Sequence, residues 1–353
     1  MEWAKLHSHA RFNLAVSGMP GLPISSLGAA PADLEISTPG GYGYGPLQQR
    51  LAEKCGVAPE CVVAATGTSM ANHLALAALV EPGDEVLIEQ PSYELLVTVA
   101  EYLGAKILRF PRAFEAGFQI DPRELERAIT PRTRVIVITN LHNPSSVRTP
   151  DATLRLVGEI ARSRGATVLV DEVYLEACYD PTIRSAFHLG SNFVVTSSLT
   201  KAYGLSGLRC GWILAQPLLA ERMWRLNDLF GVIPAHVAEL LSTLAFDHLF
   251  EITAEVKTLL DANRARIGKF LDSRKDIMAV RTEVGTTIFP NLAQGGVDAF
   301  CQLLRQKYET SVVPGRFFEM PDFFRLGYCV DPDTLENGLL RIGSALDEFS
   351  RKN

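Results

Sequence analysis

The stretch Ser197-Ser198-Leu199-Thr200-Lys201-Ala202-Tyr203-Gly204-Leu205-Ser206-Gly207-Leu208-Arg209-Cys210-Gly211-Trp212 follows the apolar run Phe193-Val194-Val195-Thr196. It places a lysine among small residues just past a strand-like segment, with an arginine eight positions further on. Lysine is rarely buried without a partner, so a solvated surface position is the plain expectation for Lys201. What decides otherwise is the company it keeps at the ends of comparable strands.

Similar β-branched runs recur at 61–65, 85–89, 106–110, 135–139, 167–170 and 212–215, and segments such as 69–79 and 150–164 between them carry apolar residues at helical spacing. Strands alternating with helices predict an α/β fold with a mostly parallel sheet of seven strands between helices. From 217 to about 274 the strand signals stop, and Gly231 and Pro234 divide a helical pattern into two or three helices. Beyond it, 277–284, 286–290 and 324–329 read as strands around a helix at 297–308, with a last helix at 333–349. The expected organisation is an N-terminal arm, 1–35, that is part of a small domain; a large domain, 36–240; and the rest of the small α/β domain, 241–353.

With 353 residues, 47% of them hydrophobic, the chain can fill such a core, and a formal charge of −6 disfavours nucleic acid or an anionic membrane as partner. A small-molecule substrate is expected. Six cysteines without a C-x-x-C pair read as buried reduced thiols, and no metal site is evident. The charged N-terminus lacks the apolar core of a signal peptide, and no run reaches the roughly 18 apolar residues of a membrane span. A cytoplasmic location follows.

Ligands bind beyond the carboxyl ends of strands in open parallel sheets. The first strand runs into Thr66-Gly67-Thr68-Ser69 and a helix, which directs backbone N–H groups and hydroxyls to one point, as a phosphate requires or as an ordinary capped turn would also do. Other strands end in Gln90-Pro91-Ser92-Tyr93, Thr139-Asn140-Leu141-His142-Asn143-Pro144 and Val170-Asp171-Glu172-Val173-Tyr174. Asp171, directly after an apolar strand, needs a cationic partner if ionised, or else serves as a cap. Taken with Ser198, Lys201 and Arg209, this set suits a phosphorylated pyridine aldehyde held by a Schiff base.

On these residues the sequence resembles the class I/II aminotransferases, fold-type I enzymes that use pyridoxal 5′-phosphate, from Asn13-Leu14 to the C-terminal helix. The resemblance implies that Lys201 is the Schiff-base lysine. It gives the phosphate to Ser198, Arg209 and the N–H groups and hydroxyls of Gly67, Thr68 and Ser69. Tyr93 would stack on the ring, Asn143 and Tyr174 would bond its phenolate oxygen, and Asp171 would pair with the ring nitrogen, raising its basicity. Arg325, in Phe323-Phe324-Arg325-Leu326-Gly327-Tyr328, would grip the substrate carboxylate with help from Gly18 and Asn143, while Arg341 in the last helix is the structural alternative. The resemblance also implies a homodimer with shared sites, in which Tyr42 or Tyr44 of Gly40-Gly41-Tyr42-Gly43-Tyr44-Gly45-Pro46 reaches the neighbouring phosphate, Tyr42 being preferred.

Two departures stand out: Cys210 replaces an aliphatic residue or alanine, and the usual Asn-Pro-Thr/Ser-Gly turn reads Asn143-Pro144-Ser145-Ser146, without its glycine. The implied reaction is transfer of an amino group from an L-amino acid to a 2-oxo acid. The same scaffold also serves carbon–sulfur β-lyases and decarboxylases. A non-catalytic regulator would need a basic DNA-binding module that neither end carries, and a dinucleotide site would need a G-x-G-x-x-G after the first strand. His142, Tyr203, Phe230 and Phe317 are pocket candidates or packing residues.

Overall fold

The computed structural model describes Trp3, Leu6 and residues 10–30, 34–37 and 40–352. Seven strands form the main sheet: β1 Val62–Thr66, β2 Glu85–Gln90, β3 Lys106–Pro111, β4 Thr133–Thr139, β5 Thr167–Asp171, β6 Phe193–Ser198 and β7 Cys210–Leu214, in the order β1-β7-β6-β5-β4-β2-β3. Strand β7 is antiparallel to both β1 and β6, and the remaining pairs are parallel.

The strands are apolar on both faces because both are covered, and the period of two divides them between two cores. Leu87, Ile136, Ile138, Val168 and Val170 face one core, while Val86, Ile88, Val135, Val137 and Leu169 face the other. Helices α1 Gly45–Cys55, α2 Gly67–Leu79, α3 Glu94–Tyr102, α4 Pro122–Ala128 and α5 Asp151–Ser163 alternate with the first strands. Helix α5 buries Leu154, Val157, Gly158 and Ala161 at helical spacing. Gly158 permits the closest approach, since a Cβ there would lie 2.5 Å from the Phe193 ring.

Three helices follow: α6 Pro217–Asn227, α7 His236–Phe246 and α8 Leu249–Asp272. Gly231 and Pro234 both fall in the first break, whereas the second, at Asp247 and His248, carries no glycine or proline. Helices α9 Val297–Tyr308 and α10 Pro332–Lys352 pack on each other beside short strands. The expected strand at 277–284 shrinks to Ile277–Met278, because the chain turns at Thr282, whose hydroxyl bonds the Val284 carbonyl, and then at Gly285, with φ of +98°. The segment Phe12–Asn13 pairs with Thr310–Ser311, and the Leu14 carbonyl accepts from Gly327, so residues 12–14 are stitched to this second unit.

The polar residues at the strand ends gather at one end of the sheet. Strands β4, β5 and β6 end there in Thr139, Asp171 and Ser198; β1 ends beside the start of β7, Thr66 opposite Cys210, which brings Arg209 to the same end.

Candidate active site

Helix α2 begins without a side-chain cap: Thr66 makes no capping hydrogen bond, and the first-turn N–H groups of Gly67, Thr68 and Ser69 have no partner within the helix. Gly67 has φ of +74°, and a Cβ there would lie 2.2 Å from Arg209 Nη2. Only glycine lets the guanidinium lie over this turn. Arg209 is exposed, reaches the Thr66 carbonyl at 3.5 Å, and forms no ion pair among the described residues. The Thr68 hydroxyl is already used: it donates to Ser198 Oγ at 2.8 Å, which also lies 2.6 Å from Thr200 Oγ1. Helix dipole, free N–H groups and an unpaired guanidinium make a cup for a dianion.

Asp171 is 4% exposed. Among the described residues it has no cationic partner in hydrogen-bond contact. Asn72 Nδ2 donates to its Oδ2 at 2.8 Å and the Val173 N–H to its Oδ1 at 3.0 Å, a cap-like bond serving one oxygen only. Desolvation pushes its pKa up to about 6. Asn72 is fixed in turn by Thr196 Oγ1, which donates to its Oδ1 at 2.6 Å. A buried carboxylate held by two neutral donors retains a site for a cation.

Lys201 Nζ donates to Ser17 Oγ at 3.2 Å, and Tyr174 Oη donates to the same oxygen at 2.7 Å. Gly18 lies against the lysine stem, where a Cβ would come within 3.1 Å of Lys201 Cδ. Arg325, 6% exposed, donates through Nη1 to Asn143 Oδ1 at 2.9 Å and through Nη2 to the Ala15 carbonyl at 3.3 Å, with its guanidinium 5.1 Å from the Phe318 ring. Its Nε is buried with no partner, which leaves a donor for an incoming carboxylate. Tyr93 opens α3 beside these groups; desolvation raises its pKa, and Tyr174, Arg325 and Asp171 all act on it electrostatically.

Other candidates lie elsewhere. Tyr42 is half exposed, donates to Asp228 Oδ2 at 2.9 Å and leans on Trp224, whereas Tyr44 packs edge-on against His236. Arg341 covers the Phe12 ring at 4.0 Å, a structural contact. Tyr203 donates to Glu176, accepts from Lys54, and lines a separate cavity of about 670 Å³. His142 is buried between Ser145 and the Pro91 carbonyl, and desolvation keeps its pKa well below the ordinary value. Phe230 packs edge-on against His73, and Phe317 lies under Arg316.

Ser17 and Asn72 escaped the sequence reading. Asn72 had a signal, as the polar residue inside the apolar pattern Met70-Ala71-Asn72-His73-Leu74-Ala75-Leu76. Ser17 had only its place beside Gly18. The turn that lacks the usual glycine keeps the glycine-like conformation: Ser146 has φ of +60°, with its Oγ accepting from the Thr287 N–H at 3.2 Å and lying 3.1 Å from Thr287 Oγ1.

A dianion cup, an amine and a buried carboxylate seeking a cation fit a molecule with a phosphate, an electrophilic carbon and a basic ring nitrogen, as in pyridoxal 5′-phosphate. The comparisons agree. The family model "Aminotransferase class I and II" matches residues 12–342. Capreomycidine synthase from Streptomyces vinaceus is 31% identical over 312 residues, covering 86% of this chain and 79% of that protein. The arginine–pyruvate transaminase AruH of Pseudomonas aeruginosa is 27% identical over 321 residues, covering 86% and 80%. A pyridoxal-phosphate-dependent aminotransferase from Streptococcus suis 89-1591 superposes with a TM-score of 0.92 at 27% identity, covering 99% of this chain and 96% of that one. The chain belongs to the class I and II aminotransferase family of pyridoxal-phosphate-dependent enzymes.

Proposed function

We propose that this enzyme moves the amino group of an L-amino acid to a 2-oxo acid with Lys201 as its reacting amine, on a large domain of 36–240 and a small one of 241–353. Pyridoxal 5′-phosphate, when bound, supplies an electron-accepting ring that stabilises the electron pair left when the amino acid loses its Cα proton. Gly67, Thr68, Ser69, Ser198 and Arg209 would receive the phosphate, Tyr93 would cover the ring, and Asn143 and Tyr174 would hold its oxygen. Asp171 would keep the ring nitrogen protonated. Arg325, assisted by Gly18 and Asn143, would orient the substrate carboxylate. Lys201 Nζ then takes the Cα proton as base and later returns it as acid.

The observation that carries this reading is that a half-buried amine, a buried carboxylate without an ion pair among the described residues and an uncapped, arginine-flanked helix end lie at the same end of one sheet. We further propose a cytoplasmic homodimer in which the partner's Tyr42 completes the phosphate cup; the exposure of Tyr42 supports this. Among the described residues no helix is long and apolar enough to cross a membrane.

The test is the absorption spectrum of the protein with pyridoxal phosphate before and after single L-amino acids, arginine among the first because of AruH, with assays for 2-oxo acid and ammonia. Loss of the lysine-linked band with oxo acid and no ammonia is expected, and Lys201→Ala should slow this by about 10²–10⁴-fold. Failure of the wild type to link the cofactor at Lys201 would overturn the assignment. A second reading rests on the 31% relative, named for making capreomycidine rather than for amino transfer. On this second reading the enzyme is a β-lyase: after Lys201 removes the proton, the β-substituent leaves with its electron pair, and hydrolysis gives 2-oxo acid together with ammonia while the lysine-linked band persists.

A further inference from the structure

Ser17 is pinned through its backbone from both sides. Thr286 Oγ1 donates to the Ser17 carbonyl at 3.1 Å, and two residues on the Met19 N–H donates to the Lys201 carbonyl at 2.9 Å. Upstream, the Ala15 carbonyl accepts from Arg325. So fixed, the Ser17 hydroxyl, on a residue 8% exposed, receives two donors: Lys201 Nζ at 3.2 Å and Tyr174 Oη at 2.7 Å. A hydroxyl oxygen has two acceptor sites, so this pair saturates it.

We infer that Ser17 is a positioning residue that fixes the amine of Lys201 and the phenol of Tyr174 at one oxygen; this rests on Lys201 being the reacting amine. The physical need is clear. A lysine tip sits on a four-carbon stem with three rotatable donors, and a proton-moving amine must be aimed. Gly18 gives the stem room and Ser17 gives the tip an anchor. The other polar groups near the amine are engaged elsewhere: Asp171 with Asn72 and Val173, and the Cys329 thiol, which donates to the Thr286 carbonyl at 3.2 Å. Among the described residues, Ser17 Oγ is the acceptor that Lys201 Nζ reaches.

The experiment compares wild type, Ser17→Ala and Ser17→Thr. In the apoenzyme at fixed pH, acetic anhydride labels Lys201 and peptide mass spectrometry reads the rate relative to surface lysines. Release from the hydrogen bond should speed labelling in Ser17→Ala by about fivefold. In the loaded enzyme kcat should fall by a similar factor while KM stays within about twofold, and Ser17→Thr, which restores the hydroxyl, should return both to wild type. Labelling of Ser17→Ala at the wild-type rate, or a threonine variant that behaves like the alanine one, would overturn the inference. A wild-type protein that never links pyridoxal phosphate at Lys201 instead removes the reading of Lys201 itself, which the cofactor spectrum reports independently.

Discussion

The two walls of the site are assembled by different means. The anion cup is made within the main sheet: the end of β1 and the first turn of α2 meet the loop between β6 and β7, with Thr68 bonded to Ser198 130 positions away and Arg209 laid over Gly67. The opposite wall joins Asn143 and Ala15 to Arg325, residues 182 and 310 positions away from it, and Ser17 to Lys201, 184 positions away. The cup is complete once the main sheet has formed, because β1 and β7 are neighbouring strands, whereas the other wall exists only once the second unit and the N-terminal segment have docked. Cofactor affinity and substrate use should therefore respond to separate mutations.

The largest expected separation is at Arg325. Arg325→Leu removes a buried fork and strands its acceptor at Asn143, so kcat/KM for the amino acid should fall by about 10²–10³-fold. Affinity for pyridoxal phosphate, measured by titration of the apoenzyme, should move by less than about tenfold, since Arg325 has no part in the cup and acts on the cofactor's proposed contacts only by holding Asn143. A parallel loss of cofactor affinity would break the division between the walls.

The same division governs what could be read from sequence. Lys201, Ser198 and Arg209 share one short segment, and each sheet strand shows its own β-branched run, so local pattern sufficed. The helix expected at 297–308 forms over those residues because its apolar period of Val297, Phe300, Cys301 and Leu304 is uninterrupted. Ser17 was hidden because its meaning lies in side chains 157 and 184 positions away, which no local period encodes. The break at Asp247 and His248 was invisible for want of a glycine or proline. The over-long strand at 277–284 followed β-branched composition past a turn that only the conformation of Gly285 reveals.

The carboxylate behind the cup offers a sharper test. Burial raises Asp171 from an ordinary 3.8 to about 6 in the protein without cofactor. Its protonated form is thus favoured by folding: the stability it contributes is complete below pH 3.8 and is lost as pH rises through about 6, a total of about 3 kcal/mol. In urea unfolding of the apoprotein, wild type should lose about 2 kcal/mol more stability than Asp171→Asn between pH 4 and 7.5, the rest having gone below pH 4. Glu172, which burial pushes up to about 8 with the Asp171 charge adding to the rise, contributes a slope of the same sign to both proteins, smaller in Asp171→Asn, so its change acts in the same direction as the expected difference. Equal slopes would mean that Asp171 is already ionised and paired, and would remove the case for a cation site beside it.

The smallest effect is expected where the main sheet's loops meet the second unit. Ser146 carries a left-handed backbone that costs a non-glycine residue about 1 kcal/mol, and Ser146→Gly would relieve it. It would also delete Oγ, leaving the buried Thr287 N–H without its acceptor at 3.2 Å, at a cost of about 1–3 kcal/mol, and would loosen the unfolded chain by somewhat less. The losses exceed the gain, so the variant should be destabilised by about 1 kcal/mol, a fall of a few degrees in Tm by calorimetry. Turnover should change less than twofold, because Asn143 is held separately by Arg325 and by its own N–H on Thr139 Oγ1. A rise in Tm would mean that strain outweighs the clasp to Thr287, and that the serine is tolerated at this turn rather than used to join it to the second unit.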